Sequence, residues 1–200
     1  MDTLKTPADT TSTRARPLSV EDRRAMIIGA VTPLILEHGR DVSTRQIAEA
    51  TGLAEGTIFR AFGDKESLIQ AVVEKFLDPE PLRNAIRGID PQETLEQKIN
   101  DIVFFIRSRM AGVFGIMRAL GGPGERPPAR QVNREYVELI SRAIEPDLEL
   151  LNVSPERVAH FLRLVSFAAS IPPMNEDYEF PTDELASLIT YGIAGRPAER

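Results

Sequence analysis

The chain has 200 residues, 42% of them apolar, enough for one generous core or two small ones. It contains no cysteine, which excludes disulfides, thiolate metal sites and a cysteine nucleophile and agrees with a reducing compartment. The net charge of −6, with 10 basic and 11 acidic residues through Lys75, excludes a broad basic surface, so any DNA contact must be local.

Residues 1–18 are rich in Thr, Pro and Asp, cannot bury enough apolar surface to offset the entropy of ordering, and are expected to form a disordered arm. They hold no apolar stretch of the signal-peptide kind, and no run approaches the roughly 18 apolar residues that span a bilayer, so a cytoplasmic protein without a membrane partner is expected. Ser19-x-x-Asp22 opens a helix to His38, with Ile27, Val31, Leu34 and Ile35 on one stripe and Gly39 as its stop. Pro33 lies opposite that stripe and predicts a kink on a solvated face. Short helices follow from Ser43 to Thr51 and from Leu53 to Phe62 around Gly52, then a fourth from Lys65 to Leu77.

Asp78-Pro79-Glu80-Pro81 stops that fourth helix and sets the expected division: arm 1–18, reading head 19–77, body 78–200. Helical patterns recur at about 91–111, 112–120, 129–151, 155–170 and 182–194, the last two opened by Ser154-Pro155-Glu156 and Thr182-Asp183-Glu184. Segments 121–128 and 171–181 read as Gly- or Pro-rich loops, and no strand pattern stands out. The expected fold is all-α, of about nine helices.

Ser43 to Phe62 has the spacing of a helix-turn-helix, with Ala48 small at the crossing, Gly52 tolerant of positive φ, and Ile47, Leu53 and Ile58 closing a miniature core. Ala-x-x-x-Gly alone also fits a generic helical hairpin. The context separates the two, because Thr57-Ile58-Phe59-Arg60-Ala61-Phe62-Gly63-Asp64-Lys65-Glu66-Ser67-Leu68 follows. Over residues 24–76 the sequence resembles the TetR family of bacterial regulators. The resemblance implies a sequence-specific transcriptional regulator: a three-helix DNA-binding head and a helical ligand-binding and dimerisation domain behind it.

Carried onto this chain, the resemblance places Glu55, Thr57 and Arg60 toward base edges and Thr44, Arg45 and Lys65 near phosphates, with Phe59 where the family commonly has Tyr. Arg60 can donate bidentately to guanine, Thr57 can rest its methyl on thymine, and Glu55 can accept from cytosine. Glu55 equally suits a helix first turn without any base contact, and Phe59 and Phe62 have the spacing of core residues. Ala54 replaces a common capping Ser and Glu55 a common Lys, and each change removes a phosphate contact. Arg14 and Arg16 of the arm could compensate along the backbone or minor groove.

The resemblance further implies an effector cavity and a dimer. Candidate lining residues are Phe104, Phe105, Met110, Phe114, Met117, His160, Phe161 and Phe167, which also suit an ordinary core; their aromatic and Met character suits a small lipophilic effector. Arg107, Arg109, Arg163 and His160 could orient a polar end. The helices at 155–170 and 182–194 carry the faces for a homodimer, which would present two recognition helices to a palindromic operator.

No cofactor or metal ion is expected, with His38 and His160 as the two histidines, and no enzyme, since neither a Gly-rich phosphate loop nor a G-x-S-x-G elbow occurs. Convergence of Glu135, Glu138 and His160 would reopen an enzymatic reading. The alternative to a released repressor is a small-molecule-binding module with the same fold and weakened DNA binding.

Overall fold

The computed structural model describes residues 19–122, 129–171 and 179–194, and among them every regular element is helical. The arm 1–18 and most of the two expected loops lie outside the described residues.

Helix α1, Val20–His38, begins where the Ser19 hydroxyl accepts from the Asp22 amide at 3.0 Å and buries Ile27, Val31 and Ile35 completely. It runs on through Pro33, which is exposed. The carbonyl that Pro33 leaves without its helical donor belongs to Gly29, also exposed, where water can satisfy it. Gly39 (φ 59°) turns the chain into a 3-10 turn, Gly39–Asp41. Then come α2, Thr44–Thr51, opened by a reciprocal Ser43 and Gln46 capping box; α3, Glu55–Phe62; and α4, Lys65–Leu77. The Asp64 side chain accepts from the Ser67 amide at 2.7 Å, and this bond holds its carboxyl pKa below the usual value.

Beyond Asp78 the pattern departs from expectation. Pro79 and Pro81 stop α4 but also start α5, Glu80–Arg87, because proline in a first turn forfeits no hydrogen bond. The two patterns expected at 91–120 form one helix, α6, Leu95–Ala119, unbroken by its internal glycines. A Cβ on Gly112 would press on the Phe76 ring at 3.2 Å, and one on Gly115 would meet Leu36 at 3.6 Å. Those glycines serve close approach to α4 and α1, not a break.

Helix α7, Ala129–Ile144, is shorter than the expected 129–151, since Pro146 turns its continuation into a 3-10 segment, Glu145–Leu150. Helices α8, Pro155–Ala168, and α9, Thr182–Ala194, match their patterns. No described helix is long and apolar enough to cross a membrane.

Buried apolar residues gather in two clusters. One joins α1 to α4 through Ile27, Val31, Ile47, Ile58, Leu68 and Val72; the other joins α5 to α9 through Ile99, Ile102, Ile140, Val158, Leu162 and Ile189. Helix α6 belongs to both, for its Ile116 is buried in the first cluster.

Candidate nucleic-acid interface and effector cavity

The turn between α2 and α3 is built locally. Gly52 takes the left-handed conformation (φ 66°), and the Thr51 hydroxyl donates to Ile47 O at 2.8 Å while accepting from the Leu53 amide at 3.3 Å. Ile58 and Phe62 bury one side of α3. Arg24 fastens its far end, donating to Ala61 O with its guanidinium 4.2 Å from the Phe62 ring centroid. Arg24 was not evident from motif spacing.

With about 100° per residue, Gly56, Thr57 and Arg60 share the side of α3 turned away from Ile58 and Phe62. Arg60 is exposed and makes no hydrogen bond or ion pair among the described residues. Gly56 is a second feature that the motif reading left out. It sits inside a helix, at a cost of about 1 kcal/mol against alanine, yet nothing lies within 4 Å of where its Cβ would be. Its absent side chain serves none of the protein's own packing.

Three proposed contacts change in the structure. Glu55 lies about 140° around the helix from Arg60, so the two do not share a reading face. Phe59 is half-buried against the head cluster, a packing residue and not an outward one. The Lys65 ammonium turns inward, donating to Arg40 O at 2.8 Å and Val42 O at 3.3 Å, where it closes the 3-10 turn. Thr44 is half-buried at the start of α2, and Arg45 is exposed with Glu49 at 2.9 Å.

Ala54 occupies the N-cap of α3 and supplies no side-chain acceptor. Ala54→Ser is expected to stabilise the chain by about 1 kcal/mol by satisfying one orphan amide, read as a rise in the thermal unfolding midpoint. An unchanged midpoint would show that these amides are already satisfied by water.

A cavity of about 600 Å³ opens between α5, α6, α7 and α8. Its wall comprises Leu82 and Ile86, Ile106, Arg109 and Met110, Tyr136 and Ile140, and His160, Arg163, Leu164 and Phe167. Of the expected lining residues, Met110, His160 and Phe167 are present. The others are not. Phe104 is 52% exposed and lies about 160° around α6 from Ile106, while Phe105 packs against the body cluster.

Phe114 holds the Phe167 ring at 5.8 Å from outside the wall, and Met117 shares the face of Ile106 about 16 Å farther along the helix. Phe161 is 44% exposed and lines a separate groove with Val165, Leu185 and Leu188. Leu82, Ile86, Tyr136 and Ile140 were not singled out, although each pair has the spacing of four that makes a helix face.

Arg107 does not reach the cavity; it donates to Phe180 O at 2.8 Å and Thr182 Oγ1 at 3.1 Å. Arg109 does two things at once. It forms part of the cavity wall and donates to the last carbonyls of α4, Leu77 O at 2.8 Å and Asp78 O. Burial pushes the Arg163 guanidinium below its usual pKa and the Tyr136 phenol above its own. Glu135 is paired with Arg83 and Glu138 faces a different cavity, so they do not meet His160.

Residues 27–72 match the family model described as bacterial regulatory proteins, tetR family. The chain is 32% identical over 94 residues to the HTH-type transcriptional repressor KstR2 of Rhodococcus jostii; this match covers 45% of the chain and 43% of that repressor, less than half of either. Structural likeness extends farther. A tetR-family regulator of Mesorhizobium loti aligns with a TM-score of 0.57 at 16% identity, over 88% of this chain and 96% of that one. A TetR regulator of Streptomyces coelicolor aligns at 0.54 and 18%, over 88% and 99%. AibR, in complex with isovaleryl coenzyme A and operator DNA, aligns at 0.51 and 16%, over 86% and 98%. At such identities these likenesses establish the common fold. With the family match over residues 27–72 and the partial match to a repressor, the N-terminal part of the chain is similar to the tetR family of bacterial regulatory proteins, and the chain spans less than half the length of the curated repressor that it matches.

Proposed function

We propose that the protein is a cytoplasmic, dimeric repressor that binds a palindromic operator through α3 and leaves it when a small lipophilic effector fills the cavity among α5 to α8. The observation that carries this reading is the face of α3 turned away from its core, where an exposed Arg60 and a half-buried Thr57 lie beside a glycine that no packing requires. A guanidinium there can reach guanine in a major groove, and a bare Gly56 lets backbone approach the DNA. The repressor relative and the fold shared with a regulator solved together with operator DNA support it.

Phe161, Leu164 and Leu188 are exposed on α8 and α9, a set of large apolar side chains suited to cover by a second copy. We place the division between reading head and body at residues 77–78, with α6 as the connection. Arg109 on the cavity wall holds the end of α4, and Ile116 is buried in the head. An effector that displaces α6 would therefore move α4 and, through it, the reading helix, so that it binds one arrangement better than the other.

The test is selection of genomic fragments by the purified protein, expected to return a palindrome. On that site Arg60→Ala should weaken binding by about 1–3 kcal/mol, measured by fluorescence anisotropy at physiological salt. The weakened-binding alternative draws on the uncapped Ala54 and the inward Lys65. An Arg60→Ala variant that binds as the parent does would favour that alternative and defeat the repressor reading.

A further inference from the structure

We infer that Arg24 is a positioning residue for DNA reading: from α1 it holds the far end of α3 by a carbonyl and a ring, and so fixes where Arg60 meets a base pair. The inference rests on the operator-binding reading and adds to it a residue outside the helix-turn-helix motif.

Helix α3 has 8 residues, about 12 Å of axis, and is too short to be stable without its packing. Its start at Ala54 has no side-chain cap, so no such bond ties that end. Ile58 and Phe62 bury one side of it, but apolar contact is non-directional and by itself sets no angle. A directional contact comes from α1. Arg24 is half-buried, its Nη1 donates to Ala61 O, and its guanidinium carbon lies 4.2 Å from the Phe62 ring centroid. Ala61 and Phe62 are the two residues directly after Arg60. One contact acts along a carbonyl and the other across a ring face, so together they constrain both the tilt and the rotation of this end of the helix. The carbonyls of a last turn also carry the negative end of the helix dipole, which favours a cation there.

Base reading is intolerant of displacement. Arg60 reaches guanine through two hydrogen bonds whose distance window is about 0.5 Å wide, so a shift of about 1 Å at this end of α3 loses the bidentate pair. The same shift leaves the general attraction to phosphates nearly unchanged. Arg24 therefore acts on discrimination, through Arg60, and not on general affinity. Lysine cannot replace it in this role, for an ammonium can follow a phosphate but cannot bond the carbonyl while laying a plane on the ring.

The experiment uses the full-length protein, the palindromic duplex returned by genomic selection and a scrambled duplex of the same length. Both duplexes are fluorescein-labelled and titrated by anisotropy at a temperature where circular dichroism shows every variant folded. Arg24→Met and Arg24→Lys are each expected to weaken palindrome binding at least about fivefold and to change scrambled-duplex binding by less than about twofold. In an Arg60→Ala background, Arg24→Met should cost less than about twofold, because the contact it positions is already gone. A purely structural role would leave the folded variants binding as the parent does. A phosphate contact would be rescued by lysine, and its loss would reduce the salt slope by about 1. Either result overturns the positioning role, as does full additivity with Arg60→Ala. If selection returns no palindrome, or Arg60→Ala binds it as the parent does, the operator reading itself fails and this inference with it.

Discussion

Replacing Asp147 by alanine is expected to destabilise the body by about 3–5 kcal/mol, the range for removing one partner of a buried ion pair. The Lys98 side chain is 1% exposed and its ammonium reaches Asp147 Oδ2 at 2.8 Å, while Asp147 itself is 14% exposed. Lys98 sits beside Ile99 and Ile102 in the centre of the body, where an ammonium without its carboxylate has no water to turn to. The converse change separates charge from packing. Lys98→Met combined with Asp147→Leu should fall within about 1–4 kcal/mol on the stable side of the parent, or be neutral, because apolar replacements avoid the desolvation of both ions. Urea unfolding, with the m-value checked for constancy, measures both. A loss below about 1 kcal/mol for Asp147→Ala would mean that Lys98 reaches water by a path the structure does not show. Asp147 lies in the 3-10 segment that follows α7, so this pair also fixes the end of the helix that carries Tyr136 and Ile140 into the cavity wall.

That same segment shows where sequence reading reaches its limit. In the head, most boundaries are marked by chemistry within four residues, the uncapped start of α3 at Ala54 excepted: Ser19 and Asp64 cap their helices through their own oxygens, Ser43 and Gln46 cap each other, and Gly39 and Gly52 adopt conformations that other residues avoid. Such signals need no tertiary knowledge, which is why α1 to α4 were legible almost to the residue. The body is less readable because its decisive residues act at a distance. Pro79 and Pro81 mark a stop and a start together, and only the packing of Leu82 and Ile86 shows that a helix lies between. Gly112 and Gly115 look like breaks until Phe76 and Leu36 are seen against them.

The sites divide in the same way. Spacing alone puts Thr57 and Arg60 on one face of α3, whereas the inward turn of Lys65 depends on a loop 23 residues earlier in the chain. Phe104, Phe105, Phe114 and Phe161 are alike in composition to Phe167, and which of them lines a cavity is set by the rotation of α6 and α8 against α5 and α7. The residues that matter there as charges, Arg109 and Arg163, stood in the sequence among 24 basic residues. They were singled out together with Arg107 and His160, and the shared wall retains all of these but Arg107.

Gly39→Ala is expected to cost about 2–5 kcal/mol and to weaken operator binding beyond what the lost stability explains. Two costs add. The residue is left-handed (φ 59°), which disfavours any Cβ by about 1–2 kcal/mol. The added methyl would also overlap the Ala119 carbonyl oxygen at the end of α6, a backbone atom that cannot rotate away, and overpacking of that kind costs about 1–3 kcal/mol. Gly29→Ala is the control, a helical position with nothing within 4 Å of the new Cβ, and it should stabilise by about 0.5–1 kcal/mol. The functional part follows from position. Gly39 ends α1 against the end of α6, while Gly112 and Gly115 bring α6 against α4 and α1, so the reading head rests on one helix through three glycine contacts. Forcing Gly39 and Ala119 apart relieves the clash by moving the end of α1 against the end of α6, a contact through which the proposed effector response would pass. Operator affinity measured at a temperature where circular dichroism shows the variant fully folded should therefore still fall. If the folded variant binds operator as tightly as the Gly29→Ala control, the contact between α1 and α6 supports stability alone, and the proposed release would have to run through Arg109 and α4.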